Sequence, residues 1–196
     1  MTQRIVGEQA GKLLRGDAKI RQIFDAESLD ALADVTEIRD YGYHDVVLQS
    51  EHAADHVGYV LEGALAMQKT LPDGRVHFVG ILAPTDLYGR LFNGPLHYDL
   101  ISLGETRVAA FEKTRFEALI SGSPALERRF LLDLLDELDA AREWIILLGG
   151  HKVSERVASF LMILYQRIGA QSEHRPVLKI PIKRVDLARY LGVRHE

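Results

Sequence analysis

Three histidines, His44, His52 and His56, crowd one short stretch of the chain. Imidazoles so close together could share a metal ion, but their spacing fits no zinc pattern, and there is no cysteine to complete one. That lack of cysteine also excludes a disulfide, a cysteine-ligated iron–sulfur cluster and a thiol redox switch. Nucleophilic catalysis finds no support either. The chain has no G-x-S-x-G, no H-E-x-x-H and no Walker loop, and its carboxylates gather on one helical segment as a solvated face. A cupin-like metal enzyme would need a histidine pair and a glutamate converging inside a barrel, and no such pattern is found. The expectation is that the protein is not an enzyme.

Residues suited to recognition lie at the other end. Between positions 175 and 196 stand six basic residues (Arg175, Lys179, Lys183, Arg184, Arg189, Arg194) and two acidic ones (Asp186, Glu196), a local charge of +4, whereas residues 1–174 carry −8. An acidic body with a basic end marks a candidate nucleic-acid contact. Within that end, KRVDLARYLG has helical period: Val185, Leu187, Ala188 and Leu191 are expected to be buried, and Lys183, Arg184, Asp186 and Arg189 to stay wet. Gly192 supplies a tight turn and VRHE opens a further helix. Helix, glycine turn and polar helix form the pattern of a helix-turn-helix, whose first helix crosses the DNA backbone while the second enters the major groove.

The elements that must position these residues follow from periodicity and turn chemistry. At 196 residues, 47% hydrophobic and 27% charged, the chain can bury one good core or two small ones. WIILL and FLMILY are its longest apolar runs, too short to cross a bilayer, and the amino terminus has no apolar targeting segment. The expectation is a soluble, cytoplasmic protein with no membrane partner. Up to about residue 35 the pattern is helical, with Leu29, Leu32 and Val35 at helical spacing. Thr36 to Glu112 reads as an all-β unit, a small barrel or sandwich, with short apolar runs divided by glycine-bearing turns such as LPDGR, a hairpin signal.

From Ser123 the pattern is helical again, with Ser123 as N-cap and Pro124 in the first turn. Leu131, Leu134, Leu138, Ala141, Ile145 and Leu148 follow a 3-4 spacing, a heptad seam suited to parallel homodimerisation. Phe130, Leu132, Leu135 and Ile146 lie off the seam and are expected to press on the helix's own domain. Gly149 and Gly150 are expected to end this helix and form a hinge. A further helix places Val153, Val157, Phe160, Leu161, Leu164 and Ile168 on one face, and PVLKIPI reads as a short β pair or extended stretch.

Two stretches resemble the CRP/FNR family of transcription regulators, and the resemblance covers nearly everything from about residue 22 onward. DHVGYVLEGALAMQKTLPDGRVHFVGILAPTDLYGRLF is similar to that family's sensor roll, with its leucine-x-glycine strand end, hairpin and P-x-D-x-x-G segment. HKVSERVASFL and IPIKRVDLARYLGVRHE are similar to the start of its DNA-binding domain. The resemblance implies an α+β fold: an N-terminal β-roll of the double-stranded β-helix, jelly-roll-like kind (1–122, including N-terminal helices), a dimerisation helix (123–149) and an incomplete winged helix-turn-helix (150–196). It implies DNA and RNA polymerase as partners of a homodimer. Lys183, Arg184, Arg194, His195 and Glu196 become the candidate DNA contacts, and Glu196 falls on the glutamate of the family's E-x-x-S-R recognition pattern. A carboxylate there accepts from cytosine, and the arginine reads guanine. That arginine would fall beyond Glu196, so the expectation is that the recognition helix continues in a longer natural chain. The 196 residues alone are expected to bind DNA weakly and without sequence preference.

The same resemblance implies an effector pocket around Gly89, Arg90, Leu91 and His97. In the family's cyclic-nucleotide binders a glutamate beside the glycine holds the ribose and a later arginine pairs with the phosphate. Here Arg90 stands where the glutamate should be, and Pro95-Leu96-His97 occupies the region of the arginine, which argues against cyclic AMP. The effector is left open. Haem is one candidate, with His77 and His97 as the ligands to test, and a small anion beside Arg90 is another. The rival reading is a dimeric sensor module that binds haem or an anion and signals to a protein partner without touching DNA.

Overall fold

The computed structural model describes residues 3–18, 20–92, 94–150, 152–168, 180 and 182–193. The chain opens with a strand, β1 (Gln3–Val6), then helices α1 (Glu8–Gly16), α2 (Ile20–Ile23) and α3 (Ala26–Ala33). The all-helical expectation for this segment misses β1. Such a strand is held by pairing with its neighbour, not by any pattern of its own. Asp25 caps α3, its carboxylate accepting from the Ser28 N–H at 2.8 Å. Leu29, Leu32 and Val35 are buried, as their spacing predicts.

Eight more strands follow between Thr36 and Glu112, the bounds expected from turn chemistry: β2 (Thr36–Tyr41), β3 (Val46–Leu48), β4 (His56–Glu62), β5 (Leu65–Thr70), β6 (Val76–Leu82), β7 (Leu87–Tyr88), β8 (Asp99–Ser102) and β9 (Thr106–Glu112). They form two antiparallel sheets, ordered β1-β2-β9-β4-β7 and β3-β8-β5-β6. The LPDGR hairpin joins β5 to β6. In it the Leu71 N–H donates to Arg75 O at 2.8 Å and the Gly74 N–H to Leu71 O at 2.9 Å.

Side-chain alternation along the strands builds the layers. On β4 and β9, Val57, Tyr59, Leu61, Ala109 and Phe111 point toward α1–α4, while Val60, Val108 and Ala110 point the other way and meet Leu65, Leu82 and Leu100 of the second sheet. That second sheet is covered in turn. Ala64, Ala66, Phe78, Ile81, Ile101 and Leu103 share a core with the carboxy-terminal helices. Strands β4 and β9 are therefore buried on both faces, which explains their near-continuous apolar runs.

Helix α4 (Lys113–Gly122) is absent from the sequence reading. Its signals are Glu112, whose carboxylate accepts from the Thr114 and Arg115 N–H groups, and the buried pair Phe116 and Ile120 at i, i+4. Helix α5 (Pro124–Gly150) begins as expected, with the Leu126 N–H donating to Ser123 Oγ, and carries through both glycines to end on Gly150. Helix α6 (Val153–Ile168) buries Phe160 and Leu164, but Val153 is exposed, contrary to its place on the expected face. On α7 (Arg184–Leu191) the buried face is rotated from the one periodicity suggests. Asp186 has no solvent exposure and Tyr190 is buried, while Val185 is exposed. The cause is tertiary: α7 packs on the β-roll through Tyr190 and Leu191, which turns Asp186 inward.

Candidate effector pocket and nucleic-acid interface

The loop from Gly89 to Tyr98 lies between the roll and α5 and is pinned at several points. The Phe92 N–H donates to Glu117 of α4, Lys113 Nζ donates to Phe92 O at 2.7 Å, and the Glu51 N–H donates to Leu96 O at 2.9 Å. Gly89 has φ 95°, and a Cβ there would stand 3.0 Å from Val57 Cγ1, so only glycine lets the loop pass this close to β4. Two adjoining cavities of about 330 and 410 Å³ open beside it. Gly89, Tyr98 and Leu134 line both; Arg90, Leu91 and His97 line the larger, so the structure brings the expected pocket residues together. Burial and the Glu137 carboxylate push the Tyr98 phenol above its usual pKa, with Arg90 opposing. Arg90, the residue after Gly89, packs over Gly94 of its own loop, and Asp86, Arg129 and Glu137 line the smaller cavity with Gly89.

The histidines separate. His97 sits at the cavity rim, exposed, 4.0 Å from Glu51. His77 is exposed on β6, paired with Lys69 and away from both cavities. Of the crowded three, His52 is exposed against Ser50 O, His44 reaches Asp186, and His56 is buried against Arg39 and Asp55. Among the described residues no three metal-ligating side chains converge.

On α5 the seam residues Leu131, Leu134, Leu138, Ala141 and Ile145 are exposed in the single chain, Ile145 at 71%. Leu131 and Leu134 also line the larger cavity, so the ridge and the pocket share a wall. The expected second flank is only partly present. Phe130 packs on the roll's helices, but Leu132 and Leu135 are exposed. Side chains of Ile146 and Leu148 lie outside the described residues.

At the basic end, Lys183 and Arg184 begin α7 and are exposed. Gly192 ends the helix in the left-handed region at φ 64°, with the Val193 N–H donating to Ala188 O at 2.9 Å, which is the turn a helix-turn-helix requires. Arg194, His195, Glu196 and most of PVLKIPI lie outside the described residues. Sequence reasoning missed how α7 is held. Tyr43 Oη donates to Asp186 Oδ2 at 2.9 Å, His44 Nε2 is 3.4 Å from Asp186 Oδ1, and Lys183 Nζ stands 3.2 Å from the centre of the Tyr43 ring. No local signal in YGYHD points to α7.

The fold is thus a two-sheet roll joined through a long helix to a helix with a basic first turn. A model of the cyclic nucleotide-binding domain matches residues 38–123. The transcriptional activator protein FnrL of Cereibacter sphaeroides is 34% identical over 176 residues, 88% of this chain and 71% of that one. The nitrogen fixation regulation protein FixK of Bradyrhizobium diazoefficiens is 32% identical over 186 residues, 92% of this chain and 78% of that one. Among solved structures, FixK2 from Bradyrhizobium japonicum aligns with a TM-score of 0.71 at 25% identity, covering 82% of this chain and 79% of that one. The chain belongs to the CRP/FNR family of transcription regulators, and it is a DNA-binding regulator of that type, not an enzyme. Among the described residues no helix is long and apolar enough to cross a membrane.

Proposed function

We propose that the protein works in the cytoplasm as a homodimer that contacts DNA through the start of α7 and the residues following Gly192, and acts on RNA polymerase. The observation carrying this reading is the exposed ridge Leu131, Leu134, Leu138, Ala141 and Ile145. Apolar side chains at heptad spacing on one helix face are stable in water when a second copy covers them. Residues 1–122 form the sensor, 123–149 the dimerisation helix and 150–196 the DNA-binding part, with Gly149 and Gly150 as the hinge between the last two. Lys183, Arg184 and Arg194 supply phosphate contacts, which add affinity and salt dependence, His195 is a further DNA contact, and Glu196 contributes to base choice.

The effector occupies the cavity at Gly89, Arg90, Leu91 and His97, and it is not cyclic AMP. The argument is the lining: a cation stands where a ribose-holding carboxylate is needed. Haem, through His97, or a small anion, through Arg90, remain the candidates. Sedimentation equilibrium tests the central point, with a dimer expected at micromolar protein. A monomer at that concentration rejects the reading, and calorimetric uptake of cyclic AMP at micromolar affinity rejects the effector assignment.

A further inference from the structure

The loop Gly42–Asp45 is fastened to the roll before it touches α7. The His44 N–H donates to Ser102 O at 2.9 Å, the Ser102 N–H to Asp45 O at 3.0 Å, the Asp45 N–H to Ser102 Oγ at 3.0 Å and the Gly42 N–H to Asp45 Oδ2 at 2.8 Å. Ser102 is fully buried. His44 is held at φ 63°, in the left-handed region that few non-glycine residues adopt. Its ring stacks on Tyr43 at 4.0 Å, so the two side chains stand as one preformed surface.

That surface meets α7 through polar groups. Asp186, without solvent exposure, receives Tyr43 Oη, His44 Nε2 and, from its own helix, Arg189 at 3.5 Å. A carboxylate shut into an interface is costly unless paired, yet in water it needs no partner. The contact is thus built to exchange with solvent more readily than the apolar packing of Tyr190 and Leu191 beside it. Lys183, one of the phosphate-binding candidates, is taken up at the same time by the Tyr43 ring.

We propose that Tyr43 and His44 form a clip by which the sensor roll holds the first turn of α7 and occupies Lys183, so that docking on the roll and binding of DNA phosphate compete for the same lysine. The proposal rests on the reading of α7 as a DNA contact, and the test separates the two. Tyr43→Phe keeps the ring and removes the bond to Asp186; Tyr43→Ala removes both contacts; His44→Gly removes the second partner and relieves the backbone. Amide hydrogen exchange over residues 184–191 of the 196-residue chain reads the clip directly. Anisotropy of a fluorescent random-sequence duplex, titrated across salt, reads the competition.

Exchange of the α7 amides is expected to rise about tenfold in Tyr43→Phe, the scale of one lost charge-assisted hydrogen bond, with β5 and β8 unchanged. Duplex affinity should rise severalfold, more for Tyr43→Ala than for Tyr43→Phe. The logarithmic salt slope of Tyr43→Ala should steepen by about one phosphate contact, and adding Lys183→Ala should cancel that gain. Unchanged protection of α7 in all three variants overturns the clip, whatever the duplex does. Faster exchange without tighter duplex binding overturns the competition. If no variant binds duplex even at low salt while α7 is released, it is the DNA reading that fails, and the competition with it.

Discussion

Arg39 and His56 lie against one another inside the protein, Arg39 Nη1 standing 3.1 Å from His56 Nε2, with both residues buried. Arginine can only donate and an ionised Asp55 can only accept. Arg39 Nη1 lies within 3.1 Å of both ring nitrogens while Nδ1 meets Asp55 Oδ1, so the guanidinium favours the neutral ring. A second proton on the ring would meet the guanidinium. Burial, assisted by Arg39 and opposed by Asp55, pushes the His56 pKa below its ordinary 6.5.

Stability should therefore fall in mild acid. The unfolded chain takes up a proton on His56 at higher pH than the folded chain does. The contribution is thus complete above pH 6.5 and is lost as pH drops from there through the lowered folded value. His56→Gln can keep one donor toward Asp55 and one acceptor toward Arg39 without titrating. Thermal melts at pH 7.5 and 5.5 should show a smaller difference for this variant than for the parent. An equal difference would mean that another group sets the slope.

Leu138→Asp on the exposed ridge should break the proposed homodimer while leaving the monomer folded, because the residue lies outside the buried core of its own chain. Truncating a buried seam leucine costs about 2–5 kcal/mol before the charge is counted, enough to move a micromolar dimer to monomer. Sedimentation of the variant checks this, with circular dichroism to confirm the fold. A persistent dimer would place the interface elsewhere.

Gly89→Ala should destabilise the roll by about 1–3 kcal/mol, since φ 95° is unfavourable for alanine and its Cβ would press on Val57 and on His56 O. Denaturant unfolding measures the loss. A neutral result would show that the loop can move off β4, and the shape assigned to the cavity would have to be revised.

Replacing Gly149 and Gly150 together by alanine should stiffen the end of α5, each alanine favouring helix by about 1 kcal/mol. Folding should persist while the response in a reporter assay is lost. A normal response rejects the hinge.

Much of the fold was legible because its causes are local. Turn residues bounded the β region at Thr36 and Glu112, Ser123-Pro124 marked the start of α5, and a lone glycine marked the end of α7. Helix α4 was also signalled locally, by Glu112 and the pair Phe116 and Ile120, but so short a pattern is hard to weigh directly after a run of strands. The candidate pocket residues were chosen through resemblance, not periodicity, since a loop has none. For the histidines, nearness in sequence was a poor guide. His44, His52 and His56 face three different surroundings once β3 and β4 are in place.

Sequence by itself determined the extent of the main β region, the start of α5, the end of α7 and which helix carries a leucine ridge, because backbone preference, capping and side-chain period act between near neighbours. Only the tertiary structure decided that Asp186 would be buried, that Lys183 would rest on Tyr43 and that Arg39 would enclose a neutral His56. Tyr43 and Asp186 are 143 residues apart, and nothing in the energy of either segment alone favours their meeting. Burial of α7 on the roll brings them into a place from which water is excluded, and there a carboxylate must find donors or remain outside.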